Sequence, residues 1–183
     1  MFPYMDLLEG FGQYWFVTLT PYGRDIEPNV PDKHRIIEDF KRLSDIVGTQ
    51  SIGWRYDPIF LSDRYTPEYH LHAFRQIAEE LRGYTKTVVI SFIDLYPKVR
   101  KNFPEAREVS KDDRLSLGKE IIKIATRCGM TVKPCAEGNF LEKYGADCSG
   151  CMTIEIFERA LGQNLAPPPN PNNRKACSCY LTG

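Results

Sequence analysis

Ser51-Ile52-Gly53-Trp54-Arg55-Tyr56-Asp57-Pro58 decides how this chain is read. A short apolar run ends in an arginine, an aromatic, a carboxylate and a proline, which carries charge to the place where a strand stops. Pro58 has no N–H to give to a sheet ladder and biases Asp57 towards extended geometry, so the strand is expected to break here. In α/β proteins, ligands bind at the carboxyl ends of parallel strands and in the loops that follow them. Arg55 and Asp57 are therefore candidates for a site. Equally, the two form an ion pair that only ties a loop.

Outward from this stretch, the same strand-and-helix alternation runs in both directions. Residues 14–20 are aromatic and β-branched, the composition of a strand buried on both faces. A loop rich in Pro, Gly and charge follows over residues 21–31. Asp32 then caps a helix over 33–47, with Ile36, Ile37, Phe40, Leu43 and Val47 on one face and Gly48 as its stop. Beyond Pro58, Thr66-Pro67-Glu68 supplies an N-cap, a first-turn proline and an acid at the positive end of a helix that closes at Gly83. Residues 87–94 read as a second buried strand ending on a carboxylate, Asp94. Ser110 caps a helix through Cys128, closed by Gly129, and residues 130–135 read as the last strand. Residues 1–10 have the apolar spacing of a helix face, and 153–161 read as a short helix.

Four alternations of strand and helix predict α/β architecture with a parallel sheet of βα units. Four units are half of a (β/α)₈ barrel, whose usual length is about 250 residues. The chain opens on a helix with no strand before it, which favours a partial TIM-like barrel over an open doubly wound sheet. That domain is expected over residues 1–165. Residues 166–183 read as a Pro/Asn-rich linker and a Cys-x-Cys tail.

Composition is ordinary for a globular domain, at 42% hydrophobic and 26% charged. A formal net charge of +0 gives no bulk attraction to nucleic acid or anionic membrane. No run approaches the roughly 18 apolar residues a membrane span needs, so the expected location is cytoplasmic. In that compartment the six cysteines read as thiols or metal ligands before they read as disulfides.

If the strands are parallel, their carboxyl ends gather Arg55, Asp57, Asp94, and Cys135 with Glu137, and the loop residues Arg24, Asp25 and Glu27 share that face. Carboxylates held close raise one another's pKa, and an arginine among them binds a carboxylate or phosphate bidentately. Such a cluster suits a polar small molecule, or else a structural network. Cys148-Ser-Gly-Cys151 has the spacing of a zinc or iron–sulfur ligand pair, and Cys177 with Cys179 would complete four ligands, Cys135 being a spare. The alternative is unligated thiols. Cys128 belongs to an apolar helix face. His70 and His72, two apart, point to different sides of a helix and cannot share a metal.

Thr18-Leu-Thr-Pro-Tyr-Gly-Arg-Asp-Ile-Glu-Pro-Asn-Val-Pro31, Trp54-Arg-Tyr-Asp-Pro58, Asp63-Arg-Tyr65, Tyr69-His70, Val89-Ile-Ser-Phe-Ile-Asp-Leu-Tyr96 and Cys135-Ala-Glu137 occur in this order, followed by the Cys-x-Cys. Together they resemble an uncharacterised bacterial and archaeal family, catalogued as a domain of unknown function. Its longer members look like distant relatives of radical S-adenosylmethionine enzymes, including spore photoproduct lyase. The resemblance implies a [4Fe–4S] cluster and S-adenosylmethionine in those members, held by a Cys-x₃-Cys-x₂-Cys motif beyond the point where this chain ends. They also begin with further strands, so this chain reads as truncated at both ends.

The expected function is accordingly radical-S-adenosylmethionine-like, with a polar ligand at the strand ends and a cysteine metal site nearby. The rivals are a zinc-stabilised binding or scaffold domain, and an inactive remnant. The remnant's exposed sheet edge would be covered by a partner or a second copy, and in this chain the first strand is expected to border an open apolar edge.

Overall fold

The computed structural model describes residues 2–166 and Cys179. Four strands, β1 (Trp15–Thr18), β2 (Ile52–Ile59), β3 (Thr87–Phe92) and β4 (Thr131–Pro134), form one sheet in the order β1-β2-β3-β4, parallel throughout. Helices α1 (Lys33–Val47), α2 (Pro67–Glu80) and α4 (Lys111–Arg127) follow the first three strands, and α5 (Ile154–Leu161) follows the fourth. The consecutive order is that of a barrel arc, but the sheet stays open. A stretch from Phe2 to Leu8 winds as a 3₁₀ helix rather than the α-helix its spacing suggests.

The caps sit where the side chains demand. Asp32 accepts from the His34 N–H, Thr66 from that of Tyr69, and Ser110 from that of Asp113, each relieving one orphan donor. Helix α3 (Pro97–Asn102) was not legible, because only Val99 of its residues packs against the core.

Register divides the sheet into two unlike faces. Ile52, Trp54, Tyr56, Val88, Ile90 and Val132 point one way and enter the main core, with Ile37, Phe40 and Leu43 of α1, Phe74 and Ile77 of α2, and Leu117 and Ile121 of α4. The other face carries Phe16, Arg55, Asp57, Val89, Ser91, Lys133 and Cys135. It is covered in part by the segment around Cys151 and by α5, whose Phe157 ring meets Tyr14 at 6.0 Å.

Two expectations about strands are corrected. First, β2 does not break at Pro58 but runs to Ile59. Pairing passes from Tyr56 against Ile90 to Ile59 against Phe92, so three steps on β2 oppose two on β3, and the irregularity falls where proline has no N–H to give. Second, β1 is not buried on both faces: Trp15, Phe16 and Val17 are half-buried and Thr18 is exposed, because β1 is the edge strand. Among the described residues, β1 pairs with β2 alone.

His70 is a core residue. Its Nδ1 accepts from the Tyr56 hydroxyl at 2.9 Å, and its Nε2–H donates to the Phe60 carbonyl at 2.8 Å. Burial lowers its pKa below the ordinary value, so the unfolded chain takes up a proton here before the folded chain does. Stability from this group is therefore full above about pH 6.5 and falls as pH drops below it, by up to about 1.4 kcal/mol per unit. Urea unfolding measured across that range should show the decline, and His70→Gln should flatten it. An unchanged slope in the variant would assign the decline to other groups.

Candidate functional site

At the carboxyl ends of the strands, Arg55 and Asp57 are two apart on β2 and so share the face turned away from the main core, here called the inner face. Arg55 Nη2 and Nε donate to Asp57 Oδ2 at 2.5 and 3.1 Å. Ser91, from the neighbouring strand, donates to Asp57 Oδ1. The guanidinium lies over the Phe16 ring at 5.3 Å, and its Nη2 reaches Cys135 Sγ at 4.0 Å. Both side chains of the pair are about four-fifths covered, at 24% and 19% exposure, so the charges are only partly screened by water.

Glu137 reaches the same end of the sheet with both oxygens engaged. Oε1 accepts the Phe92 N–H at 2.8 Å and Oε2 accepts from Arg114 of α4 at 2.9 Å. Burial raises its pKa, although these two donors pull the other way. Ala136, between Cys135 and Glu137, has a φ of 59°, a left-handed conformation that turns the chain sharply after β4. Asp94 is exposed and accepts from the Tyr96 hydroxyl at 3.1 Å.

Arg24 and Asp25 have other company. Asp25 accepts from the Tyr65 hydroxyl at 2.8 Å and pairs with Arg64 at 3.1 Å, while Arg24 is exposed. The Tyr65 hydrogen bond holds the Asp25 carboxyl below its ordinary pKa. The loop itself is tied down. Thr20 donates to Glu27 at 2.6 Å, Lys33 pairs with Glu27 at 2.5 Å, and Tyr22 donates to the Pro58 carbonyl at 2.7 Å.

The cysteines do not assemble as their spacing suggests. Cys148 packs against the main core, whereas Cys151 turns to Val89 on the inner face. Cys177 lies outside the described residues. Cys179 does reach Cys151, with sulfurs 3.3 Å apart, and accepts the Cys151 N–H at 3.2 Å. The third member is Cys135, taken from sequence as a spare: the Cys151 thiol lies 3.5 Å from its sulfur. The hydrogen bond from Cys151 lowers the Cys135 pKa to about 7, assisted by Arg55 against the effect of burial. Cys151 is pushed up, chiefly through its hydrogen bond to Cys135 and its contact with Cys179. Among the described residues, no group of three or more His, Cys, Asp or Glu is arranged to hold a metal ion.

Ser91, Arg114 and Lys133 were missed from sequence. Ser91 sits inside an apolar run and Arg114 in the first turn of a helix, so neither carries a local signal. Lys133 is buried on the inner face, paired with Asp147 at 2.6 Å. It lines a cavity of about 170 Å³ at the opposite, amino end of the strands, together with Tyr14, Lys86 and Arg159. Burial pushes the Tyr14 hydroxyl up to about 12.

Among the described residues, no helix is long and apolar enough to cross a membrane. Comparison with curated proteins and with solved structures finds no match. A family model described as a domain of unknown function (DUF1848) matches residues 1–182, nearly the whole chain, and the protein belongs to that family.

Proposed function

We propose that the protein binds a polar small molecule bearing a carboxylate or phosphate at the carboxyl ends of β2, β3 and β4. Arg55 is the group that recognises the anion, and Asp57 with Ser91 fixes its orientation. One observation carries this reading. Asp57 engages one edge of the guanidinium, and among the described residues Nη1 meets no acceptor. A planar donor with a free edge, held rigidly in partial cover, is the arrangement that captures an oxyanion. By contrast, Glu137 and Arg114 satisfy each other and the backbone, and act as a brace between β3 and α4.

The resemblance to radical S-adenosylmethionine enzymes would place an iron–sulfur cluster near this site, and the cysteine spacing would allow zinc. The four-cysteine set that the spacing suggests does not assemble among the described residues. A zinc ion with bonds of about 2.3 Å needs its sulfurs around one point. Here Cys135 and Cys179 each approach Cys151, and Cys148 turns away into the main core. A cubane cluster, with one thiolate per iron, spreads its sulfurs further still. No step is derived through either group.

Ligand-observed NMR with carboxylate- and phosphate-bearing metabolites tests the reading. Binders should lose about 10- to 100-fold in affinity on Arg55→Gln, the equivalent of one charged hydrogen bond. Equal binding to both proteins, or no binder in a broad set, would remove Arg55 from the role.

A further inference from the structure

We propose that Cys135, Cys151 and Cys179 form a thiol redox site reactive towards small hydroperoxides, with Cys135 as the attacking thiolate and Cys151 as the resolving thiol. Cys135, Cys151 and Cys179 come from three separate segments, and both outer thiols lie within reach of Cys151. The Cys151 sulfur lies 3.5 Å from that of Cys135 and 3.3 Å from that of Cys179, whereas a disulfide bond is about 2.05 Å. Closing either gap takes a shift of about 1.3 to 1.5 Å, within the reach of side-chain rotation and a slight loop movement.

The three positions differ in the ways the roles demand. Cys135 is half-buried at the strand ends, less covered than Cys151 or Cys179, with Arg55 Nη2 4.0 Å from its sulfur and the Cys151 thiol pointed at it. A cation and a donated hydrogen bond both favour the thiolate, in keeping with its lowered pKa. Cys151 and Cys179 are buried, at 3% exposure each, so neither meets an oxidant first. An accessible, electropositive thiol beside a buried partner is the pattern of cysteines that oxidise reversibly. Cys128, 5% exposed in the main core, also has an arginine beside it, Arg82 Nη2 at 3.7 Å, but it is buried and none of the three clustered thiols donates to it, so it serves as the internal reference.

The Cys135 thiolate attacks the outer oxygen of a hydroperoxide; the S–O bond forms, the O–O bond breaks, and the alkoxide leaves with a proton taken from water. Cys135 is then a sulfenic acid, oxidised by two electrons. Cys151 gives its proton and attacks that sulfur; the S–S bond forms, the S–O bond breaks, and water leaves. A dithiol reductant returns the two electrons by exchange at the disulfide. Cys179, against the far side of Cys151, offers a second partner for the same exchange.

The test uses the purified full chain, reduced, kept anaerobic, and analysed for metals before treatment. One equivalent of hydrogen peroxide should consume two thiols per chain, and peptide mapping should find Cys135 joined to Cys151. In Cys151→Ser, the sulfenic acid on Cys135 should persist and be trapped by dimedone. Cys135 should also alkylate at neutral pH at least about tenfold faster than Cys128 in the folded protein, a readout that needs no variant. Equal alkylation rates, no Cys135–Cys151 link, or one metal ion per chain held by these thiols would each overturn the proposal. Because none of these readouts involves an anionic ligand, the site can fail here while the Arg55 reading survives, and the reverse.

Discussion

Trp54→Ala is expected to destabilise the protein by about 4 kcal/mol, the upper part of the range for deleting a large buried aromatic. Trp54 is fully buried, and its environment is specific as well as apolar. The indole stacks on Phe74 of α2 with centroids 4.7 Å apart and meets Tyr56 edge-on at 5.6 Å. Its Nε1–H donates to the Leu19 carbonyl at 2.9 Å, which fastens the end of β1 to the centre of the sheet. Alanine would leave a cavity between β2 and α2, remove the ring contacts and orphan that carbonyl, and these losses add. Trp54→Phe keeps the stacking and loses the hydrogen bond, so it should cost about 1 to 2 kcal/mol. Trp15, half-buried on the edge strand, provides the contrast: Trp15→Ala should cost less than Trp54→Ala. Urea unfolding followed by circular dichroism reads all three. Equal costs for the two tryptophans would mean that β2 is not the centre of the core.

That ordering of the two tryptophans could not be taken from sequence, and the reason is physical. Both lie in short aromatic and β-branched runs, and local composition does not say which strand ends up at an edge. The strands, the caps and the helix stops were legible because each rests on neighbouring residues: Asp32, Thr66 and Ser110 cap within three positions, and Gly48 and Gly129 stop their helices. Parallel pairing followed from the alternation. The passage of β2 through Pro58 was not legible, since it depends on a shift of register against β3.

The candidate site divides in the same way. Arg55 with Asp57 was visible because a two-residue spacing on a strand puts both on one face. The thiol cluster was not, because Cys148 and Cys151 look like a pair in sequence while the fold sends them to different cores. Much of the family-like motif has a structural explanation. Tyr22, Phe60, Tyr65, Tyr69 and His70 pack as one aromatic group, and the Tyr69 hydroxyl donates to the Pro21 carbonyl at 2.9 Å. Those residues hold the loops after β1 and β2 together beneath the strand ends. Arg55 and Asp57 sit on the other side of β2, outside that group.

Lys133→Met should cost about 2 to 3 kcal/mol, and the loss should be felt at the thiols. Lys133 is the one lysine among the described residues with a buried side chain, at 3% exposure, beside Val89 on the face of the sheet that also carries Arg55. Its ammonium donates to Asp147 at 2.6 Å, Ser149 at 3.2 Å and the Gly150 carbonyl at 3.0 Å. These three bonds hold down the turn that delivers Cys151 over the sheet. Methionine keeps the volume of the stem and removes the charge. Asp147, 36% exposed, can regain water, but the Gly150 carbonyl belongs to a buried residue and is left unsatisfied. The expected loss is that of a buried polar group stripped of its partner, moderated because one end of the ion pair is wet. Since the turn is held mainly from beneath, much of the loss should appear as local opening. Cys151 should then alkylate faster in Lys133→Met than in the parent protein at equal denaturant, and the Cys135 thiolate should lose its donor and become less reactive. A variant that unfolds at the parent's denaturant midpoint, with Cys151 still protected, would show that the turn is held by Asp147 and Ser149 alone.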